Sequence, residues 1–198
     1  MTRLVASDVL RANIASHIAT IGTLSDLAGP LTRAADTLGQ ALLDGNKLLT
    51  CGNGGSAADA AHLATEFVCR YNADRRPYPA IALTDAGSTL SAVGNDYAFE
   101  VVFARQVRAF GKEGDVLIAF TTSGNSRNVL LALEAARELR MHTIAFLGKT
   151  GGFTKGVADI ELLVPAQVTA RIQECHLLLY HCLCETVETI LATGNKEK

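Results

Sequence analysis

Residues 47–67 read KLLTCGNGGSAADAAHLATEF. The first six are a short apolar run ending in glycine, as a buried strand does. The turn GNGGS follows, and helix formers then carry on from about 55 to 70. His62 and Glu66 stand four apart in that helix, so they share a face. The downstream sequence repeats the pattern. AIAL (80–83), DVLIAF (115–120), TIAFLG (143–148) and DIELLV (159–164) read as further strands. Residues 98–110 and 126–139 read as helices, 88–93 as a helical turn or short helix, and 169–192 as a long final helix. Upstream, Val9, Leu10, Ile14, Ile18, Ile21 and Leu24 recur at helical spacing. They predict a helix over 8–28 ended by Gly29-Pro30, and a second helix over 31–44 ended by Gly45-Asn46. Strands alternating with helices at this spacing predict an α/β fold: a doubly wound parallel sheet of about five strands, with right-handed crossovers and helices on both faces. One domain over 1–198 is expected, with an N-terminal helical hairpin (1–45), a core (46–193) ending in the long C-terminal helix, and a ragged tail, GNKEK.

The composition agrees. Apolar residues make up 48% of 198, enough for a sizeable core. Aromatics are 6% with no Trp, so that core is mainly Ala, Leu, Val and Ile. A net charge of −2 provides no basic excess to neutralise phosphates, which argues against a nucleic-acid partner. The start, MTRLVASDVLRANIASH, has no long apolar core and reads as neither signal peptide nor membrane span. Cys51, Cys69, Cys175, Cys182 and Cys184 are odd in number and irregularly spaced, so no disulfide framework is expected. They read as small buried hydrophobes in a reducing cytoplasm.

Ligands of such sheets bind at the carboxyl ends of strands, where loops lead into helix N-termini. Two loops stand out there: CGNGGSA after the first strand, and TTSGNS (121–126) after DVLIAF. Each puts small residues where free N–H groups and the positive end of a helix dipole would meet an anion. Neither matches a nucleotide P-loop, and no GxGxxG is present. Simple helix capping explains one such loop comfortably and two less well; a sugar phosphate held by hydroxyls fits both. On the last helix, Gln173 and His181 lie eight apart, about 80° around the axis, so both could reach one inward site. His176 falls on the opposite side from His181. By spacing alone, His62 and Glu66 read as an ordinary helix-surface pair rather than half of a metal or acid/base site.

Four motifs in order, GNGGSAADAAHLATEF (52–67), GNDYAFE (94–100), TTSGNSRNV (121–129) and IQECHLLLYH (172–181), cover most of the chain. They resemble the sedoheptulose 7-phosphate isomerases, also called phosphoheptose isomerases, of the sugar isomerase (SIS) superfamily. The family usually reads STSG where this chain has TTSG, which keeps the hydroxyl. The resemblance implies a zinc site of His62, Glu66, Gln173 and His181, with Asp59 orienting its neighbours. It implies substrate contacts from Asn53, Gly54, Gly55 and Ser56, from Asn95 and Asp96, and from Glu66 and Gln173, with Thr121, Thr122, Ser123 and Ser126 cradling the phosphate. It also implies homotetramers whose sites are shared between subunits. The implied reaction is an aldose–ketose isomerisation through an enediol(ate), feeding ADP-heptose and lipopolysaccharide core synthesis. In it Glu66 is the candidate base and His181 the candidate acid, because histidine titrates near neutrality. The alternatives are a non-catalytic SIS-fold regulator, which would lack the full acid/base and metal set, and an etherase acting on an amino-sugar phosphate.

Overall fold

The computed structural model describes residues 5–194; residues 1–4 at the start and 195–198 of the expected tail lie outside it. In order the elements are α1 (Ala6–Ile21), α2 (Ala28–Leu43), β1 (Leu48–Gly52), α3 (Gly55–Val68), β2 (Ala80–Ala82), α4 (Gly87–Asp96), α5 (Val102–Phe110), β3 (Val116–Thr121), α6 (Arg127–Glu138), β4 (His142–Gly148), β5 (Ile160–Val164) and α7 (Thr169–Gly194). Short 3-10 turns precede α2 and α5 and follow β4. No helix of the described residues is long and apolar enough to cross a membrane.

The five strands form one parallel sheet in the order β2-β1-β3-β4-β5. Side chains alternate across it with the period of two that a strand imposes. Val116, Ile118 and Phe120 of β3 face a core shared with α2, α3 and α7. Leu117 and Ala119 face the opposite core, shared with α5 and α6. Small side chains such as Ala34, Ala35, Ala132, Ala135 and Ala136 are fully buried, which lets the helices pack close to the sheet.

One boundary departs from the expectation. The first helix ends at Ile21, a 3-10 turn spans Leu24–Leu27, and Gly29-Pro30 lies in the first turn of α2. The first N–H groups of a helix have no intrahelical acceptor, so proline's missing donor costs nothing there. Similarly, the helical turn expected at 88–93 is part of the longer α4.

Two features of the fold position a site. From β1 the chain runs outward to the edge strand β2, then returns to place β3 on the other side of β1. The loops leaving β1 and β3 therefore part in opposite directions, which opens a crevice at their carboxyl ends. On the sheet face below, α3 packs beside α7, with Ala60, Leu63 and Phe67 meeting the core that holds Ile172, Cys175, Leu179 and Leu183.

Candidate functional site

The first loop is shaped by contacts that only glycine permits. Gly54 has φ +56°, in the left-handed region. The Gln173 amide of α7 lies against the Cα of Gly55, in space a Cβ would need. Ser56 is buried in the first turn of α3, and its N–H donates to the Asn53 carbonyl at 3.0 Å. The Asn53 side chain reaches across the crevice to Asn128 of α6. The two amides exchange hydrogen bonds, Asn53 Nδ2 to Asn128 Oδ1 at 2.8 Å and Asn128 Nδ2 to Asn53 Oδ1 at 2.9 Å. This pair locks the two loops together at the point where the strand order reverses.

The second loop is braced from within and from below. Thr121 Oγ1 and Ser126 Oγ are 3.1 Å apart, the Gly124 N–H donates to Thr121 Oγ1 at 3.1 Å, and the Asn125 N–H donates to Ser123 Oγ at 3.1 Å. The Gly124 carbonyl accepts from the Thr154 hydroxyl (2.7 Å) and the Thr154 N–H (3.1 Å), which docks the loop on the turn after β4. Ser126 stands at the N-cap of α6, yet its hydroxyl bonds Thr121 instead of capping the helix. Hydroxyls gathered beside an uncapped helix N-terminus suit an anion. Thr122 and Ser123 are half-buried beside them.

The polar cluster lies on α3 and α7. His62 Nε2 is 2.8 Å from Glu66 Oε1, and His62 Nδ1 is 2.9 Å from the hydroxyl of the buried Tyr180. The rings of His62 and His181 meet edge to face, 5.2 Å apart, and the ring of Tyr71 leans on His181 at 5.6 Å. One donor atom from each of His62, Glu66 and His181 falls within 4.8 Å of the others. Two imidazole nitrogens and a carboxylate oxygen are the donor set of a catalytic zinc site with an open fourth position, so these residues fit that ion. Burial, then the neighbouring His62, hold the His181 imidazolium below the ordinary histidine value, which favours the neutral form a metal needs. The Tyr180 hydroxyl at Nδ1 fixes the ring; were Nε2 to bind a metal, Nδ1 would carry the ring proton and donate to that hydroxyl. Asp59 is one helical turn before His62. Burial raises its carboxyl to about 6 against the pull of His62, and its Oδ2 is buried with no hydrogen-bond partner among the described residues.

His176, on the far side of the helix from His181, is a core histidine. It is fully buried between the Phe120 and Phe146 rings, its Nε2–H donates to the Leu147 carbonyl at 3.0 Å, and burial lowers it to about 4.

Gln173 and His181 stand on the same helix, α7. Eight residues at ~1.5 Å rise separate them by about 12 Å along α7. The Gln173 amide instead abuts Gly55, which lies about 10 Å along α3 from His62. Angular proximity on a helical wheel leaves out this axial distance. Asn95 and Asp96 end α4, exposed and bonded to each other at 2.8 Å. Sequence reading missed Asn128, whose partner is 75 residues away, and Tyr180, which passes for one more apolar residue in LLLYHCL. The one available signal for Tyr180 was a hydroxyl on a buried face, which needs a partner.

Comparison with known proteins fits this geometry. The family model of the SIS domain matches residues 14–148. Phosphoheptose isomerase of Shewanella loihica is 50% identical over 164 residues, covering 81% of this chain and 83% of that protein. Among solved structures, phosphoheptose isomerase GmhA from Neisseria gonorrhoeae superposes with a TM-score of 0.87 at 42% identity, covering 93% of this chain and 100% of that one. A phosphoheptose isomerase from Francisella tularensis gives 0.90 at 38% identity, covering 94% and 100%.

Proposed function

Because the chain belongs to the phosphoheptose isomerase family of SIS-domain proteins, we propose that it interconverts sedoheptulose 7-phosphate and D-glycero-D-manno-heptose 7-phosphate through an enediol(ate). The observation that carries this reading is the cluster of His62, Glu66 and His181 across α3 and α7, on a fold whose two glycine loops suit a phosphate. Glu66 takes the proton from C1 of the ketose as a C1=C2 enediol(ate) forms. His181 moves the proton between the two oxygens, and return of a proton to C2 gives the aldose. Zinc on His62, Glu66 and His181, with Gln173 as the fourth ligand, would polarise the substrate's carbonyl and hydroxyl oxygens. Asn53 and Gly54 to Ser56 line the sugar's approach, and Thr121, Thr122, Ser123 and Ser126 hold the phosphate.

A homotetramer is part of the reading. Val9, Leu10, Ile14 and Ile18 of α1 are exposed, and no residue of that helix is buried, so a neighbouring subunit is the natural cover. Gln173, together with Asn95 and Asp96, then serves a site shared with a neighbour. We assign the enzyme to the cytoplasm, with the whole chain acting as one SIS domain whose product feeds ADP-heptose and lipopolysaccharide core synthesis. A non-catalytic SIS-fold regulator is not favoured, since the acid/base and metal-type residues are all present and the named relatives are isomerases. The test is incubation with sedoheptulose 7-phosphate, with and without a chelator. Aldose formation that the chelator abolishes supports enzyme and metal together; no turnover with zinc present overturns the proposal.

Two variants probe its parts. Ser123→Ala and Ser126→Ala should each raise KM, with kcat little changed, because each charge-assisted hydrogen bond lost to a spectator phosphate costs about 1.5–3 kcal/mol. Steady-state kinetics on the sugar phosphate checks this, and an unchanged KM would remove the phosphate from that loop. Tyr180→Phe should weaken zinc binding by about tenfold, the size typical of a lost partner to a metal-bound histidine. Competition against a chromophoric chelator measures it.

A further inference from the structure

We infer that Arg75 is a positioning residue for this site: tied to Glu188, its guanidinium fixes the last turn of α3 against α7, and so sets His62 and Glu66 relative to His181. The inference rests on the proposed isomerase reading.

Arg75 lies in the segment between α3 and β2. Its Nη2 donates to the carbonyl of Glu66 itself at 2.7 Å, and its Nη1 to the carbonyls of Phe67 and Arg76, both at 3.1 Å. The Glu66 and Phe67 carbonyls belong to the end of α3, where a helix runs out of its own N–H partners and where a cation is favoured. The same guanidinium faces Glu188 Oε1 of α7 in an ion pair, Nε to Oε1 at 3.4 Å, without hydrogen-bond geometry, and both side chains are only 12% exposed. Its plane is further confined by Tyr78 and Phe67, whose ring centroids are 5.3 and 6.0 Å from Cζ.

Glu188 completes the tie. Its carboxylate accepts from the N–H of Asn72 at 3.2 Å and of Ala73 at 3.1 Å, so the segment is clamped to α7 at three points. Glu188 follows His181 by seven residues, two turns on and on the same side of α7. The segment also delivers Tyr71 onto the His181 ring. Arg75 therefore grips the helix of the base at the base's own carbonyl and the helix of the acid two turns beyond it. The buried contacts of Leu63, Phe67, Leu183 and Val187 hold the two helices to the core, so the fold does not depend on this tie alone.

The experiment compares Arg75→Met, Arg75→Lys and the parent holoenzyme for kcat, KM, zinc affinity by chelator competition, and thermal melting. In Arg75→Met, zinc Kd should rise and kcat fall by about 10–100-fold, as when a metal ligand loses its supporting partner. KM should stay within about twofold, because the phosphate loops are untouched. Arg75→Lys keeps the charge facing Glu188 but cannot fork across two carbonyls, so it should recover part of both losses. If Arg75→Met fails to fold, Arg75→Lys and Glu188→Gln carry the same expectation at smaller size. Variants that melt earlier but keep parental zinc affinity and kcat below their melting point overturn the inference and leave the function standing. A zinc-loaded parent without turnover overturns the function, and the inference with it.

Discussion

Glu66→Gln should lower kcat by about 10²–10⁴-fold, with little change in melting temperature. The exchange is nearly isosteric, and the amide oxygen can still accept where Glu66 Oε1 now stands 2.8 Å from His62 Nε2. The backbone grip of Arg75 on residue 66 is independent of the side chain. What the amide cannot do is take a proton from carbon. Zinc content separates the two routes to a loss. A variant that holds parental zinc yet fails to exchange the substrate's C1 hydrogen with solvent deuterium has lost the base. A variant that loses zinc as well has lost a ligand. Near-normal kcat in Glu66→Gln would remove this residue from the chemistry altogether.

The fold was legible because its signals are local. The strict alternation of β3 and the glycine turns after β1 and β3 are set by backbone geometry within a few residues. The i, i+4 pair of His62 and Glu66 was legible for the same reason. Failures came where distance along the chain or the axis decides. Gly29-Pro30 looks like a helix stop because the same dipeptide suits either a terminus or a first turn, and packing of Ala34, Leu38 and Leu42 selects the latter. Gln173 and His181 share an angular sector of α7 but stand about 12 Å apart along it, an axial separation that a helical wheel leaves out. Asn128 and Arg75 carry no signature, because each gains meaning from a partner 75 and 113 residues away.

The two histidines of the last helix give the sharpest contrast. His181→Ala should lose both bound zinc and turnover. It removes one of three donors that stand within 4.8 Å of one another, and no other imidazole in the cluster can replace it. His176→Ala should keep its zinc and pay instead in stability. It opens a void between Phe120 and Phe146 and leaves the buried Leu147 carbonyl without its donor, a loss of about 1–3 kcal/mol before the cavity is counted. Elemental analysis of the purified variants reads the first effect. Melting curves with and without added zinc read the second. A ligand present at 100 times its Kd stabilises the folded state by about 2.7 kcal/mol, so zinc should raise the melting temperature of the parent and of His176→Ala but not of His181→Ala. Because α3 and α7 are far apart in sequence, that increment measures the tie between them through His62, Glu66 and His181. Equal zinc in His181→Ala and the parent would place the metal elsewhere and leave His181 as an acid/base group alone.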